Sequence, residues 1–256
     1  MNRDAWASYV NAFHHRYPGI TQDVLRLARN HAGLTPYGWI AAELPPVGLV
    51  VDLACGAGPL AELVGSSRWL GLNISAAEVG RARDEGVRGV VRADVRAVPL
   101  ASASVDTLVC SMALMVAPVA DVFRESARLL RPGGCLIATT PTWRGQGWAD
   151  LRRTWTLWRA WGDRPQFASR SRESARWATY YGMEVASDLV DRFDLPLDRD
   201  SAQLLADSLY APRSTDESRR RLVDGLLTLP DGNFSLVLRR QRWVVAPLRT
   251  SRGPTP

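Results

Sequence analysis

Apolar positions in this chain follow two different periods, and the change from one to the other maps its organisation. From residue 49 onward, short continuous apolar runs alternate with stretches of helical period, as the βαβ units of a parallel sheet require. The runs 49–53, 69–73, 89–94, 107–111 and 135–140 predict strands buried on both faces. Between them, 59–64, 75–84 and 121–130 predict helices. The last of these opens at Asp121 as its cap and is stopped by Arg131-Pro132-Gly133-Gly134, which cannot continue a helix. Beyond residue 140 the rhythm changes. Helical patterns run over 171–181, 201–209 and 214–227, the last opening with a capping box from Ser214 to Glu217. Residues 185–195 read as a sixth strand, and 234–246 as a long final one in which Phe234, Leu236 and Leu238 alternate with Ser235 and Arg239. Ahead of the sheet, residues 4–42 hold two helical stretches separated by Tyr17-Pro18-Gly19-Ile20.

Composition narrows the class. At 256 residues and 46% apolar content the chain is long enough for one large core or a domain with a small lobe. Cys55, Cys110 and Cys135 are odd in number and far apart, each inside an apolar run, so neither a disulfide framework nor a zinc site is expected, and a reducing, cytoplasmic setting is. No metal ligand set is expected. The longest uncharged stretch, 107–120, contains Pro118 and is shorter than the roughly 18–20 residues of a membrane span. The N-terminus, with Arg3 and Asp4, lacks the pattern of a signal peptide. The net charge of +6 raises the question of nucleic acid. All 32 basic residues are arginines. Residues 1–140 carry 13 of them against 12 acids and residues 141–256 carry 19 against 14, so the surplus lies late in the chain.

The strongest local signal is Val50-Val51-Asp52-Leu53-Ala54-Cys55-Gly56-Ala57-Gly58-Pro59-Leu60-Ala61. An apolar strand ends in an acid, and two glycines then let backbone approach a ligand where a Cβ would clash. The glycines fit a dinucleotide fingerprint as well as any other adenosine site. Asp52 beside a pyrophosphate would be repelled, whereas beside a cationic sulfonium amino acid it is favoured. Ala93-Asp94-Val95-Arg96-Ala97-Val98-Pro99-Leu100 and Leu129-Leu130-Arg131-Pro132-Gly133-Gly134 follow in register.

These three motifs, in this order and spacing, resemble the class I S-adenosylmethionine-dependent methyltransferases of the type 11, UbiE-like family, over residues 49–140. The resemblance implies a Rossmann-like three-layer α/β/α sandwich, with a mostly parallel seven-stranded sheet, an antiparallel final strand and a helical lid. It implies an N-terminal lid over 1–46 and a cofactor domain over 47–248 with cap insertions near 142–180 and 198–230; the sequence of the tail, 249–256, is itself read as disordered. The implied cofactor is S-adenosylmethionine, with S-adenosylhomocysteine as product. Asp52, Ala54, Gly56 and Gly58 would line its methionine portion. Asn73, with Ile74, would meet the ribose, Asp94 and Val95 the adenine, and Ser111 and Ala113 the sulfur region. Asn73 departs from the family's usual acid. It has no charge to strengthen the ribose bonds, which predicts an affinity lower by roughly tenfold.

Methyl transfer needs mainly a nucleophile positioned at the methyl and, where that nucleophile is protonated, a base. His14 and His15 are the candidate bases on a lid helix. Tyr17 and Met112 are candidate substrate contacts, and Trp143, Trp148 and Trp155 candidate pocket walls for a flat substrate. The expected partner is a small molecule, with O, N or C as acceptor, and the expected state is a monomer or a homodimer. An RNA methyltransferase is the first alternative, on the strength of Arg219-Arg220-Arg221 and Arg239-Arg240-Gln241-Arg242. The interleaved acids Asp216, Glu217 and Asp224 and the absence of an RNA-binding pattern count against it. A non-catalytic or cyclase-like cofactor binder is the second.

Overall fold

The continuous apolar runs are the strands of a single sheet, because a strand covered by helices on both faces has no side left to keep polar. A computed structural model describes residues 3–142, 146–162 and 171–246. Its strands are β1 (Val50–Leu53), β2 (Trp69–Asn73), β3 (Val90–Arg92), β4 (Val105–Ser111), β5 (Leu130–Pro141), β6 (Met183–Pro196) and β7 (Asn233–Val245), in the spatial order β3-β2-β1-β4-β5-β7-β6. Neighbours among β1 to β5 pair in parallel. β7 runs antiparallel to both β5 and β6, so β7 alone opposes the rest. This is the mostly parallel seven-stranded α/β sandwich that the sequence implies.

Three helices precede the sheet: α1 (Arg3–Arg16), α2 (Ile20–Leu27) and α3 (Pro36–Ala41). The sequence reading gave two stretches there. Thr35 opens a third helix by accepting from the Gly38 N–H, with Pro36 at its first turn, where a missing N–H costs nothing. Between strands lie α4 (Ala61–Val64), α5 (Ala76–Asp84) and α6 (Val119–Leu129). α6 starts before Asp121, since Pro118 holds the cap position and places Asp121 in the first turn. The Arg131–Gly134 segment belongs to β5, with Gly133 at φ 80°. The later helices are α7 (Trp148–Trp161), α8 (Ser171–Tyr180), α9 (Arg199–Ser208) and α10 (Asp216–Leu227). The box that caps α10 lies one residue along from the Ser214–Glu217 pair, joining Thr215 to Ser218. Ser214 instead accepts from the Trp161 indole at 3.0 Å.

Alternation along the strands splits the core between the two faces, with Val51 and Leu53 under α6 and Val50 on the face of α3 and α4. α8 falls within the expected 142–180 insertion but packs on the α6 layer, where Ala178 is part of the core. A third cluster forms a cap. β5 ends opposite Leu238, whereas the β6–β7 ladder continues to Pro196 and Asn233. α2, α7, α9 and α10 gather on that extension through Leu157, Trp161, Phe193 and Leu222. It stands above the C-terminal ends of the parallel strands, the edge at which open α/β sheets bind ligands.

Candidate active site

The loop after β1 carries three left-handed residues, Ala54 (φ 58°), Gly56 (φ 59°) and Gly58 (φ 81°). At Ala54 a Cβ makes this conformation cost about 1–2 kcal/mol. A Cβ placed on Gly56 would meet only Glu78 Oε2, at 3.8 Å, so this glycine borders the open cleft. Gly58 serves packing, since a Cβ there would lie 2.9 Å from Val87 and 3.0 Å from the Trp69 ring.

Asp52, next to last in β1, is 1% exposed, and among the described residues its Oδ1 has no hydrogen-bond partner. Burial pushes its carboxyl up to about 8, against a weak opposing pull from the Trp69 indole. The indole N–H is itself buried without a partner of hydrogen-bonding geometry. A lone buried carboxylate is costly unless something positive meets it. An ammonium group supplies that charge, so this site fits the amino-acid end of S-adenosylmethionine.

Asn73 is buried at the end of β2, and its Oδ1 accepts from the Ser75 N–H at 2.9 Å, shaping the turn into α5. Asn73→Asp keeps that acceptor and adds charge toward the ribose. It is expected to tighten cofactor binding about tenfold in calorimetry. Ile74 beside it is exposed. Asp94 is held below the usual carboxylate range by its bidentate pair with Arg96, at 2.6–3.1 Å, yet a carboxylate keeps acceptor sites to spare for an adenine amino group. Val95 packs on the core under α6. Ser111 bonds Thr139 at 3.2 Å, and Met112 (φ 60°) leads into a 3-10 turn over Ala113–Met115. Met112 packs against three of the apolar clusters at once, the cap among them.

Beneath the cap lies an apolar cavity of about 140 Å³, walled by Met112, Leu205, Leu222, Phe234 and Leu236. No charged side chain lines it among the described residues, and its polar lining residues include Tyr210, Thr21 and Gln146.

The structure brings some candidate residues together and separates others. His14 is half-buried and hydrogen-bonded on both ring nitrogens, Nδ1 to Glu78 Oε1 and Nε2 to the Tyr210 hydroxyl, each at 2.8 Å. His15, one position on, faces solvent, which removes it as a base. Tyr17 packs on Phe13 and under Arg16, away from the cavity wall. Trp148 and Trp155 are not pocket walls: they are 89% and 63% exposed, because they share the outer face of α7 while Leu157, Trp158 and Trp161 point inward. Trp143 lies outside the described residues. Trp155→Ala is accordingly expected to shift stability by no more than about 0.5 kcal/mol in thermal unfolding and to leave cofactor affinity unchanged. Glu78 and Tyr210 carried no sequence signal, since one sits where a helix-start acid belongs and the other follows a helix end. The three thiols are buried. Burial pushes Cys110 up to about 12 and Cys55 well up too, which keeps both from acting as nucleophiles.

Comparison with known proteins places this architecture. Residues 51–138 match the family model described as a methyltransferase domain. Dimethylglycine N-methyltransferase of Parasynechococcus marenigrum is 36% identical over 115 residues, which are 40% of this chain and 40% of that protein. The ubiquinone/menaquinone biosynthesis C-methyltransferase UbiE of Rubrivivax gelatinosus is 39% identical over 102 residues, 37% of this chain and 41% of that one. The chain thus spans about two fifths of the length of these relatives. The YcgJ protein of Bacillus subtilis superposes with a TM-score of 0.55, at 17% identity, over 82% of this chain and 97% of that one, a likeness of fold. Residues 51–138 are thus similar to a methyltransferase domain. Over those residues the chain resembles the type 11 family, whose cofactor is S-adenosylmethionine.

Proposed function

We propose that the protein transfers a methyl group from S-adenosylmethionine to O, N or C of a small, neutral, largely apolar metabolite, of the kind made in natural-product biosynthesis. The observation that supports this reading is the uncharged cavity beneath the cap, lined among others by Met112, the residue that follows Ser111 at the end of β4. When bound, the cofactor supplies a methyl carbon on a positive sulfur that leaves as a neutral thioether, taking the C–S electron pair. This chain's residues then have two tasks. Asp52 and the Ala54–Gly58 backbone seat the amino-acid end, and the cap excludes water and holds the acceptor in line. The relatives include an N- and a C-methyltransferase, which leaves the acceptor atom open.

The arginine surplus supports a small-molecule substrate over RNA, because much of it is already neutralised. Arg221 pairs with Glu217, Arg239 with Asp188, and both Arg240 and Arg242 with Glu43. The buried thiols suit the reducing cytoplasm. Two assays test the reading: a thermal shift on adding S-adenosylmethionine, then a mass-spectrometric screen of neutral metabolites for the gain of one methylene. A shift with no methylated product from any such pool would sink the methyltransferase reading and favour the cofactor binder.

A further inference from the structure

We infer that Tyr210, His14 and Glu78 form a proton relay, with Tyr210 as the group that touches the acceptor. This rests on the methyl transfer proposed above, for an acceptor that carries its own proton. The three residues come from the connection after α9, from α1 and from α5, 196 and 64 positions apart, and meet beside the cavity. Tyr210 lines the cavity and is packed among Phe13, at 4.9 Å, and Trp6, at 5.9 Å, so its ring is fixed. Its hydroxyl bonds His14 Nε2 at 2.8 Å. Nδ1 of the same ring bonds Glu78 Oε1 at 2.8 Å, and Glu78 Oε2 accepts from the Gly19 N–H at 2.9 Å.

The direction of the chain follows from its far end. Glu78, 2% exposed, is an acceptor on both oxygens, so Nδ1 carries the ring proton. Nε2 is then the acceptor and the Tyr210 hydroxyl the donor. As the acceptor's lone pair closes on the methyl carbon, its proton passes to Tyr210 Oη and the Tyr210 proton passes to His14 Nε2. The imidazolium so formed faces the Glu78 carboxylate, which stabilises it. His14, 21% exposed, then returns the proton to solvent. His14 is therefore not the residue that meets the acceptor. Burial raises the Tyr210 phenol well above its ordinary value, with a hydrogen bond from Thr21 working the other way, so it serves as a conduit and not as a standing phenolate. Other titratable and charged groups near this chain include Tyr9 of α1, and Arg81 of α5 with its partners Asp23 of α2 and Glu85.

The test begins with imidazole nitrogen NMR of the ligand-free protein, in which only His14, His15 and His31 contribute. The relay requires one ring with its proton on Nδ1, whose Nε2 resonance moves in Tyr210→Phe and whose Nδ1 resonance moves in Glu78→Gln. With the acceptor found in the metabolite screen, Tyr210→Phe should lower kcat about a hundredfold or more with KM changed less than threefold. It should also abolish the acid limb of the kcat–pH profile, which a merely structural role would not move. A His14 ring protonated on Nε2, or a Tyr210→Phe variant that keeps kcat and the acid limb, overturns the relay and leaves methyl transfer standing. Methyl transfer that fails in the wild type strikes the proposed function itself.

Discussion

Replacing Asp52 with asparagine is expected to stabilise the cofactor-free protein and to weaken cofactor binding about a hundredfold. The sign follows from burial. The carboxyl is raised from 3.8 to about 8 in the folded chain, so between those values the unfolded chain is ionised while the folded one still holds its proton. The unfolded state binds fewer protons there, and stability falls as pH rises across that window, by about 1.4 kcal/mol per unit, levelling off above about pH 8. Asparagine has the same shape and no charge to desolvate. Its buried amide returns about 1–3 kcal/mol of the gain, which leaves a net stabilisation of about 2–4 kcal/mol near pH 8 and almost none near pH 5. Thermal unfolding should show a rise of roughly 5–12 °C at the higher pH. The affinity loss comes from the same feature: a charged hydrogen bond is worth about 1.5–3 kcal/mol, and asparagine cannot answer an ammonium with charge. A variant that is less stable at pH 8 than the wild type would contradict this account of Asp52.

Gly71→Ala is expected to cost about 2–3 kcal/mol, although it adds one carbon to a strand. Gly71 and Trp69 lie two apart on β2 and so share a face. A Cβ at Gly71 would stand 2.4 Å from the Trp69 ring and 2.8 Å from Cys55 Sγ. The indole also closes over Gly58, so the methyl would push it from the glycine loop after β1. Denaturant unfolding should report the loss, and trimming the ring with Trp69→Phe should recover part of it in a double-mutant cycle. Additive effects of the two changes would show that the ring and the glycine are not coupled.

The sheet and the cofactor loop were legible because both rest on local pattern. Strands covered on both faces must be apolar throughout, and Asp52-Leu53-Ala54-Cys55-Gly56-Ala57-Gly58 needs its residue types at those positions whatever the rest of the chain does. The cap was only half legible. The aromatic periodicity of α7 announced a packed helix but presented two stripes, and nothing local distinguished Trp158 and Trp161, which go inward, from Trp148 and Trp155, which stay in solvent. Arg159, stacked 5.8 Å from the Trp155 ring one turn earlier, marks the outer stripe. His14 was legible by its chemistry and its partners were not, because Glu78 and Tyr210 reach it only through tertiary contacts. The capping box of α10 slipped by one residue because Ser214 and Thr215 are both good caps and burial of the Trp161 indole claimed the first.

We propose that the loop after β1, with the buried carboxyl of Asp52 at its head, seats S-adenosylmethionine. Titration calorimetry of the wild-type protein with S-adenosylmethionine at pH 7, run in phosphate and in Tris so that proton release registers as a difference in heat, tests it most directly. One saturable site that releases close to one proton, a release that fades above about pH 9 and is absent in Asp52→Asn, is the predicted result. Binding with no proton release and unaltered by Asp52→Asn, or no saturable heat at millimolar cofactor, would contradict it.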